Sequence, residues 1–341
     1  MSRSPFALMD SIYRLDLNQE QWTTNLASEI QRQLGLGPGL LKYDFALHER
    51  RIRVGSVAAF GDIDEYRKLT IPFHREVSPE IYWPVFRKGT HCSTSRTMLA
   101  ADDVSEQNQE ILDLTLQHLG YSDIWALCAV EPDFSGSVFA VPVLPGEKNR
   151  YPVEDEDWTK IAVHIAAATR LRRHFPHMDF SNHETYSKRD MIMSSVGSNA
   201  DPGADSRQAD LGEEMYEALV RTVQTVSKHR KLKTSSQLMD VWPGLVQGRW
   251  SLIPVEGNRG ERYMAAVENP PRIAKDHRLT TRENQVVQYA AQGQSNKQIA
   301  YTLGLSVSSV GTYLSQALKK LGISRTDLIV FIKKLLENHR M

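Results

Sequence analysis

Between Asn18 and Leu34 the apolar residues Trp22, Leu26, Ile30 and Leu34 return every fourth position, the stripe of one helix. Gly35-Leu36-Gly37-Pro38-Gly39 predicts its end. The period then changes from four to two. Leu41 to His48 and Arg51 to Phe60 read as two strands around Glu49-Arg50, with Tyr43 and Phe45 alternating on the first and Ile52 and Val54 on the second. Residues 62–88 are predicted helical in pieces, interrupted by Pro72, Pro79 and Pro84. Ser105 caps a predicted helix reaching Leu119, with Ile111, Leu112, Leu114, Leu116 and Leu119 mostly turned to the core. Asp123 to Val130 and Ser137 to Leu144 form a second strand pair. Asp155 to Arg173 closes the unit as an amphipathic helix with Trp158, Ile161, Ala162, Ile165 and Ala166 inside. Helix, strand pair, helices, strand pair, helix is the order of an antiparallel sheet with helices gathered on it, an α+β fold.

Residues 194–210 are rich in Ser, Gly, Asn, Asp and Pro and read as a mobile connection. Leu211 to Val226 and Ser235 to Val246 are predicted helices. Residues 248–254 and 262–267 read as a hairpin around Gly257-Asn258-Arg259-Gly260. Asn269-Pro270-Pro271 marks a boundary. The expected division is a sensor-like α+β domain over 1–176, a linker with a small α/β region over 177–270, and a helical domain over 271–341. The middle region is either a reduced PAS-like unit or an extension of the first domain.

The C-terminal run has the densest local signals. Thr280 caps a helix from Thr281 to Gln292, with Gly293 as its stop. Ser295 caps the next, Asn296 to Leu303, which turns Ile299, Ala300 and Leu303 inward. Gly304 takes the tight turn, and Ser306 starts a third helix. On that helix Val310, Leu314, Ala317 and Leu321 form a core stripe, while Ser308, Thr312, Ser315 and Lys319 form the opposite one. Small polar residues followed by lysine suit close approach to a phosphate backbone. The bland alternative is a helical bundle with a solvated lysine-rich face.

These residues resemble the LuxR-type family of bacterial transcriptional regulators. Leu279-Thr280 with Arg282-Glu283 matches the family's first helix, Gly293 and Ser295-Asn296-Lys297 with Ile299-Ala300 the second, and Leu303-Gly304-Leu305-Ser306, Ser309-Val310 and Lys320-Leu321-Gly322-Ile323 the third. The resemblance implies four helices, the third in the major groove of double-stranded DNA. The fourth, about Thr326 to Asn338, would carry Leu328, Ile329, Ile332 and Leu335 to a dimer contact. The implied DNA-binding residues are Asn296, Lys297, Ser306, Ser308, Ser309, Thr312, Tyr313, Ser315, Gln316, Lys319 and Lys320. Many members carry a basic residue just after the Val of the recognition helix and another four positions later; here those places hold Gly311 and Ser315. Thr312 against a thymine methyl or Gln316 against an adenine are the substitutes. In architecture alone, residues 15–175 resemble GAF-type sensor domains, some of which bind small molecules while others only dimerise. The Trp/Tyr/Asp-Pro pattern of the acyl-homoserine-lactone sensing domain does not appear, so no response to those lactones is expected.

Charge sharpens this picture. The chain of 341 residues has zero formal net charge, but from Lys275 onward there are ten Lys or Arg and four Asp or Glu, a net of +6. A basic end on an acidic chain points to a polyanion for that end only, and the modest excess favours a homodimer. Cys92 and Cys128 are no disulfide framework and read as reduced, in keeping with a cytoplasmic protein. No apolar run spans a bilayer. The start leads into a polar helix rather than a signal peptide. His164, His174, His177 and His183 could suggest a metal, but Arg170, Arg172 and Arg173 crowd them, and none is expected. His91-Cys92 with Ser93 and Ser95 could suggest a nucleophile, though no positioned base is visible and a buried thiol is the plainer reading. Trp83, Phe86, Trp125 and Phe139 could line a cavity or fill a core. No cofactor is implied. The expected function is a non-enzymatic, DNA-binding transcription regulator, a homodimer governed by a small-molecule or protein signal at its N-terminal region. The alternatives are a ligand-free interaction module or an enzyme fused to the DNA-binding domain.

Overall fold

The computed structural model describes residues 5–48, 51–76, 88–100, 106–147, 150–174, 191–195, 250–256, 262–328 and 330–331. Helices α1 (Pro5–Ile12) and α2 (Gln19–Leu34) precede strands β1 (Gly39–His48) and β2 (Arg51–Gly61). Helix α3 (Asp64–Glu76), strand β3 (His91–Thr94) and helices α4 (Ser95–Ala100) and α5 (Glu106–Leu119) follow. Strands β4 (Asp123–Val130) and β5 (Ser135–Val143) then lead to helix α6 (Glu156–His174). A second sheet holds β6 (Met191–Ser195), β7 (Trp250–Glu256) and β8 (Arg262–Glu268). The C-terminal helices are α7 (Thr281–Ala291), α8 (Asn296–Leu303) and α9 (Val307–Leu321).

Helix α2 begins where its side chains demand it. Asn18 accepts from the Gln21 amide while Gln21 returns a bond to the Asn18 amide, and Gly35 closes the far end at φ 62°. The five strands form an antiparallel sheet in the order β2-β1-β5-β4-β3. Period-two alternation sorts its side chains between two layers. Trp125, Leu127, Phe139 and Val141 pack with α1, α2 and α6. Ala126, Cys128, Val138 and Ala140 face the other way, with Tyr43, Phe45 and Tyr66. The N-terminal antiparallel sheet with helices and the helical C-terminal domain are therefore as expected from the sequence. Trp125 and Phe139 are core; Trp83 and Phe86 lie outside the described residues, as do the predicted helices over 211–226 and 235–246.

Several expectations need correction. Strand β3 was not expected. It is four buried residues without apolar alternation, so its pairing with β4 rather than its pattern makes it a strand. Helix α1 is not polar: Leu8, Met9 and Ile12 are buried. Helix α3 continues through Pro72, which forfeits one backbone donor without ending it. Leu114 is exposed, whereas Leu112 and Leu116 are buried. The residues 191–195 start as a strand, β6, at one edge of a sheet in the order β6-β8-β7. Pro254 fits there because β7 is the opposite edge. Trp250, Leu252, Ile253 and Val267 join the same core as α6 and the five-stranded sheet. Helix α6 is not amphipathic: every residue from Thr159 to Leu171 is buried.

The two cysteines are free thiols. They face opposite layers of the sheet, Cys92 with α6 and Cys128 with Tyr66, so they cannot bridge. Burial pushes the Cys92 thiol up to about 11, which keeps it protonated and unreactive near neutrality.

His91 on β3 is buried, with Nδ1 at 2.7 Å from the Gly89 carbonyl oxygen and Nε2 at 3.0 Å from Met98 Sδ. Burial depresses its pKa to about 4. A depressed histidine favours the fold fully above its unfolded pKa, and the benefit is lost as pH falls toward the folded one. From pH 7 to pH 5 the chain should lose on the order of 2 kcal/mol from this group alone. Denaturant unfolding at both pH values checks it: His91→Gln should flatten that part of the profile, and an unchanged profile would refute the assignment.

Candidate nucleic-acid interface

The C-terminal domain is built from three short helices whose ends are written into the sequence. Thr280 accepts from the Glu283 amide and Glu283 returns a bond to the Thr280 amide. Ser295 and Gln298 repeat the same reciprocal pair at α8. Ser306 caps α9 through the Ser309 amide at 3.0 Å. Between α8 and α9, Gly304 sits at φ 63°, a left-handed conformation that closes α8 and costs a residue with a Cβ far more. Helix α7 ends one residue earlier than expected, with Gly293 at φ 77° beyond it.

Helix α9 divides as its pattern predicts. Val310, Leu314, Ala317 and Leu321 are buried, against Val286, Val287, Ile299 and Leu303 of the other two helices. Ser306, Ser308, Thr312, Ser315, Gln316, Lys319 and Lys320 are exposed, with Ser309 and Tyr313 partly so. Several hydroxyls are held by local bonds. Ser306 Oγ lies 2.9 Å from Ser308 Oγ and 2.8 Å from Ser309 Oγ, and Thr312 donates to the Ser308 carbonyl at 3.1 Å.

The basic residues differ in their surroundings. Lys320 donates to both oxygens of Glu283 at 2.7 Å, with Glu283 itself almost wholly buried. Burial alone would raise the Glu283 carboxyl, but Lys320 and the Thr280 amide outweigh it and hold it below the usual carboxylate range. Lys320 therefore ties α9 to α7 with part of its charge compensated. Lys297 at the start of α8 lies 2.7 Å from Glu156 at the start of α6. Asn296, next to it, has Nδ2 3.8 Å from where a Cβ on Gly311 would stand. Its Oδ1 is shielded from solvent without a hydrogen-bond partner.

Beyond α9, Leu328 is buried and residues 330–331 are helical, the first part of the expected fourth helix. Ile329, Ile332 and Leu335, the other proposed dimer residues, lie outside the described side chains, and so do His177 and His183. His164 is fully buried and bonded to Tyr13 and Tyr301. Among the described residues no group of three or more His, Cys, Asp or Glu could hold a metal ion, and no helix is long and apolar enough to cross a membrane.

A seam between this domain and the rest of the chain has no signature in the sequence. Gln292 at the end of α7 donates through Nε2 to the Glu131 carbonyl at 2.5 Å. Tyr301 Oη meets His164 Nε2 at 2.7 Å. Asn269, in the expected boundary, is buried and donates to the Ala167 carbonyl and Ser251 Oγ while accepting from Arg170 Nε. Arg170 pairs in turn with Glu131. Apart from Asn269–Ser251 and Arg170–Glu131, which are 18 and 39 residues apart, these partners lie about 100 residues or more apart in sequence, which is why no local pattern announces them.

Residues 277–332 match the family model GerE, "Bacterial regulatory proteins, luxR family". No curated protein matches the chain. Among solved structures, SdiA of Escherichia coli aligns with 95% of this chain and 94% of its own at 10% identity and a TM-score of 0.27.

Gly311 offers a test of how α9 is built. A Cβ there would meet nothing closer than Asn296 Nδ2 at 3.8 Å, ordinary van der Waals contact. Gly311→Ala should stabilise the chain by about 1 kcal/mol, because glycine in a helix interior costs that much relative to alanine. Denaturant midpoints would show it, and a loss of stability would mean that α9 is not the continuous helix described. With two reciprocal caps, an exposed hydroxyl-and-lysine stripe opposite a buried apolar one, and the family match on those same residues, residues 277–332 are a helix-turn-helix domain of the luxR family of bacterial regulatory proteins.

Proposed function

We propose that the chain binds a two-fold DNA site as a homodimer and that residues before the C-terminal domain set its activity in response to a signal. The division intended is a sensor-like domain over 1–176, a connecting region over 177–270 and a DNA-binding domain over 271–341. The observation that carries the reading is the split of α9 into a buried stripe and an exposed stripe of small polar residues ending in lysine. In this reading α9 lies in the major groove. Ser308, Thr312, Tyr313, Ser315 and Gln316 face bases or sugars, while Lys319 meets phosphate. Ser306 and Ser309 at the start of α9, with Asn296 and Lys297 at the start of α8, touch the backbone. Lys320 adds a weaker phosphate contact from its place beside Glu283.

Gly311 and Ser315 leave little charge to read guanine. Specificity then rests on phosphate contacts, the spacing of two half-sites and DNA shape more than on arginine or lysine at base edges. A homodimer supplies the affinity that a net of +6 does not. The signal acts by population shift: it favours one spacing of the two DNA-binding domains, and only one spacing fits both half-sites. A small molecule or a partner protein could serve, and the α+β region is read as GAF-like, working in the cytoplasm.

Selection of DNA from a random pool by the full chain, at stated salt, tests the central claim. The expected product is a two-fold motif; no motif above the salt-dependent background overturns it. Lys319→Ala should weaken binding to every sequence alike and lower the salt slope by about 0.9 for each protomer, since one phosphate contact is lost per chain. An altered base preference with an unchanged slope would move Lys319 from the backbone to the bases.

A further inference from the structure

Helices α6 and α8 touch at Glu156–Lys297 and at His164–Tyr301. Around these contacts lies a cleft of about 580 Å³ with walls from both domains. That volume falls within the range of small-molecule sites, which gather where domains meet.

Lys160 on α6 is the informative residue. It is 8% exposed, with its ammonium 2.9 Å from Glu156 Oε1 and 5.5 Å from the centre of the Tyr301 ring. The same Glu156 carboxylate receives Lys297 at 2.7 Å. One half-exposed carboxylate thus serves two ammonium groups, one of them largely buried. Lys88 also lines the cleft, paired with Glu154 at 2.8 Å. Three lysines against two glutamates leave an excess of one positive charge. His91, in the same wall, adds none near neutrality. Beside the polar Thr159, Ser295 and Gln298, the cleft has an apolar patch from Val163 on α6, Ala300 on α8 and Leu305 in the turn beyond it, next to the Tyr301 ring.

A cationic excess above an apolar patch fits a ligand with one acidic group and a hydrocarbon body. A charge in a partly dehydrated site gains more from an opposite charge than it would in water. We propose that the cleft between α6 and α8 binds a small amphipathic monoanion, whose acidic group joins Lys160 and Lys297 and whose body lies on Val163, Ala300 and Leu305. Such a ligand grips both domains at once and ties their relative placement to its own concentration. The proposal deepens the reading of the chain as a signal-responsive regulator and rests on it, but its test does not pass through DNA.

Octanoate is the probe, measured by calorimetry on the full chain. Octylamine keeps the body with the charge reversed, and inorganic phosphate keeps the anion without the body. Saturable binding of one octanoate per chain is expected, at least ten-fold tighter than either control. Two variants follow, each checked for an unchanged fold by its unfolding midpoint: Lys160→Met removes the buried charge at similar length, and Leu305→Trp fills the apolar wall. A ten-fold or greater loss in either supports the site. Octanoate that fails to saturate, that binds no better than octylamine, or that binds both folded variants as well as the parent overturns it. Failure of DNA selection would leave this outcome standing, and failure here would leave the DNA-binding reading intact.

Discussion

Helix α6 has no solvent face along its middle, and the rest of the molecule is arranged around that constraint. A helix buried all round needs partners on every side. On its apolar side, Ile161, Ile165, Ala168 and Leu171 share one core with Trp22 and Leu26 of α2 and Phe139 of β5. The other sides carry Lys160, His164 and Arg170, which are costly to bury unless each is hydrogen-bonded or paired. Partners come from elsewhere in the chain: Tyr13 from the turn after α1, Tyr301 from α8, Glu131 from the turn between β4 and β5, and Asn269 from the segment after β8. Removing any of these elements would leave a polar group of α6 buried without one of its partners. The polar side of one helix thus holds the second sheet and the DNA-binding domain against the first sheet.

That attachment uses the back of the helix-turn-helix and leaves its front open. Tyr301 and Lys297 belong to α8, and Gln292 to the end of α7, whereas the polar stripe of α9 remains exposed. Docking therefore does not cover the surface read as facing DNA bases. It does engage Lys297, whose ammonium meets a carboxylate where a phosphate would otherwise stand. Exposed ion pairs of this kind are weak, in the range of about 0–1 kcal/mol, so Glu156 biases Lys297 without locking it. The buried bonds of His164, Arg170 and Asn269 fix where the domain sits, and the exposed pair at the rim is the part that exchanges readily.

The difference between what the sequence disclosed and what it concealed follows from the range of the interactions. Thr280 with Glu283, and Ser295 with Gln298, are three residues apart, and the core stripe of α9 repeats within one helix; such signals are complete in a short window. The strands of the first sheet were legible for the same reason, through alternation along β1, β2, β4 and β5. Strand β3 was hidden because four buried residues, three of them polar by type, show no alternation. The all-round burial of α6 is concealed because Ile161, Ala162, Ile165 and Ala166 do make a stripe, which says nothing of Val163, His164 and Ala167, buried on the other sides as well. The seam with the C-terminal domain joins residues 137 positions apart in one bond and 161 in another, and no window of sequence contains both ends.

The composition of α9 then follows from the same division of labour. Its inward face is fixed by packing, and Lys320 is fixed by Glu283, so little of the helix is free to carry charge toward a groove. Serine and threonine there bond to one another and to the backbone when nothing else is present. A hydroxyl already bonded locally can turn to a phosphate or base at small cost, because its proton rotates freely and its oxygen keeps a second lone pair. Such a surface gains little per contact and depends on being held at the correct distance. Geometry is therefore the natural source of its selectivity, and geometry is what the buried side of α6 controls.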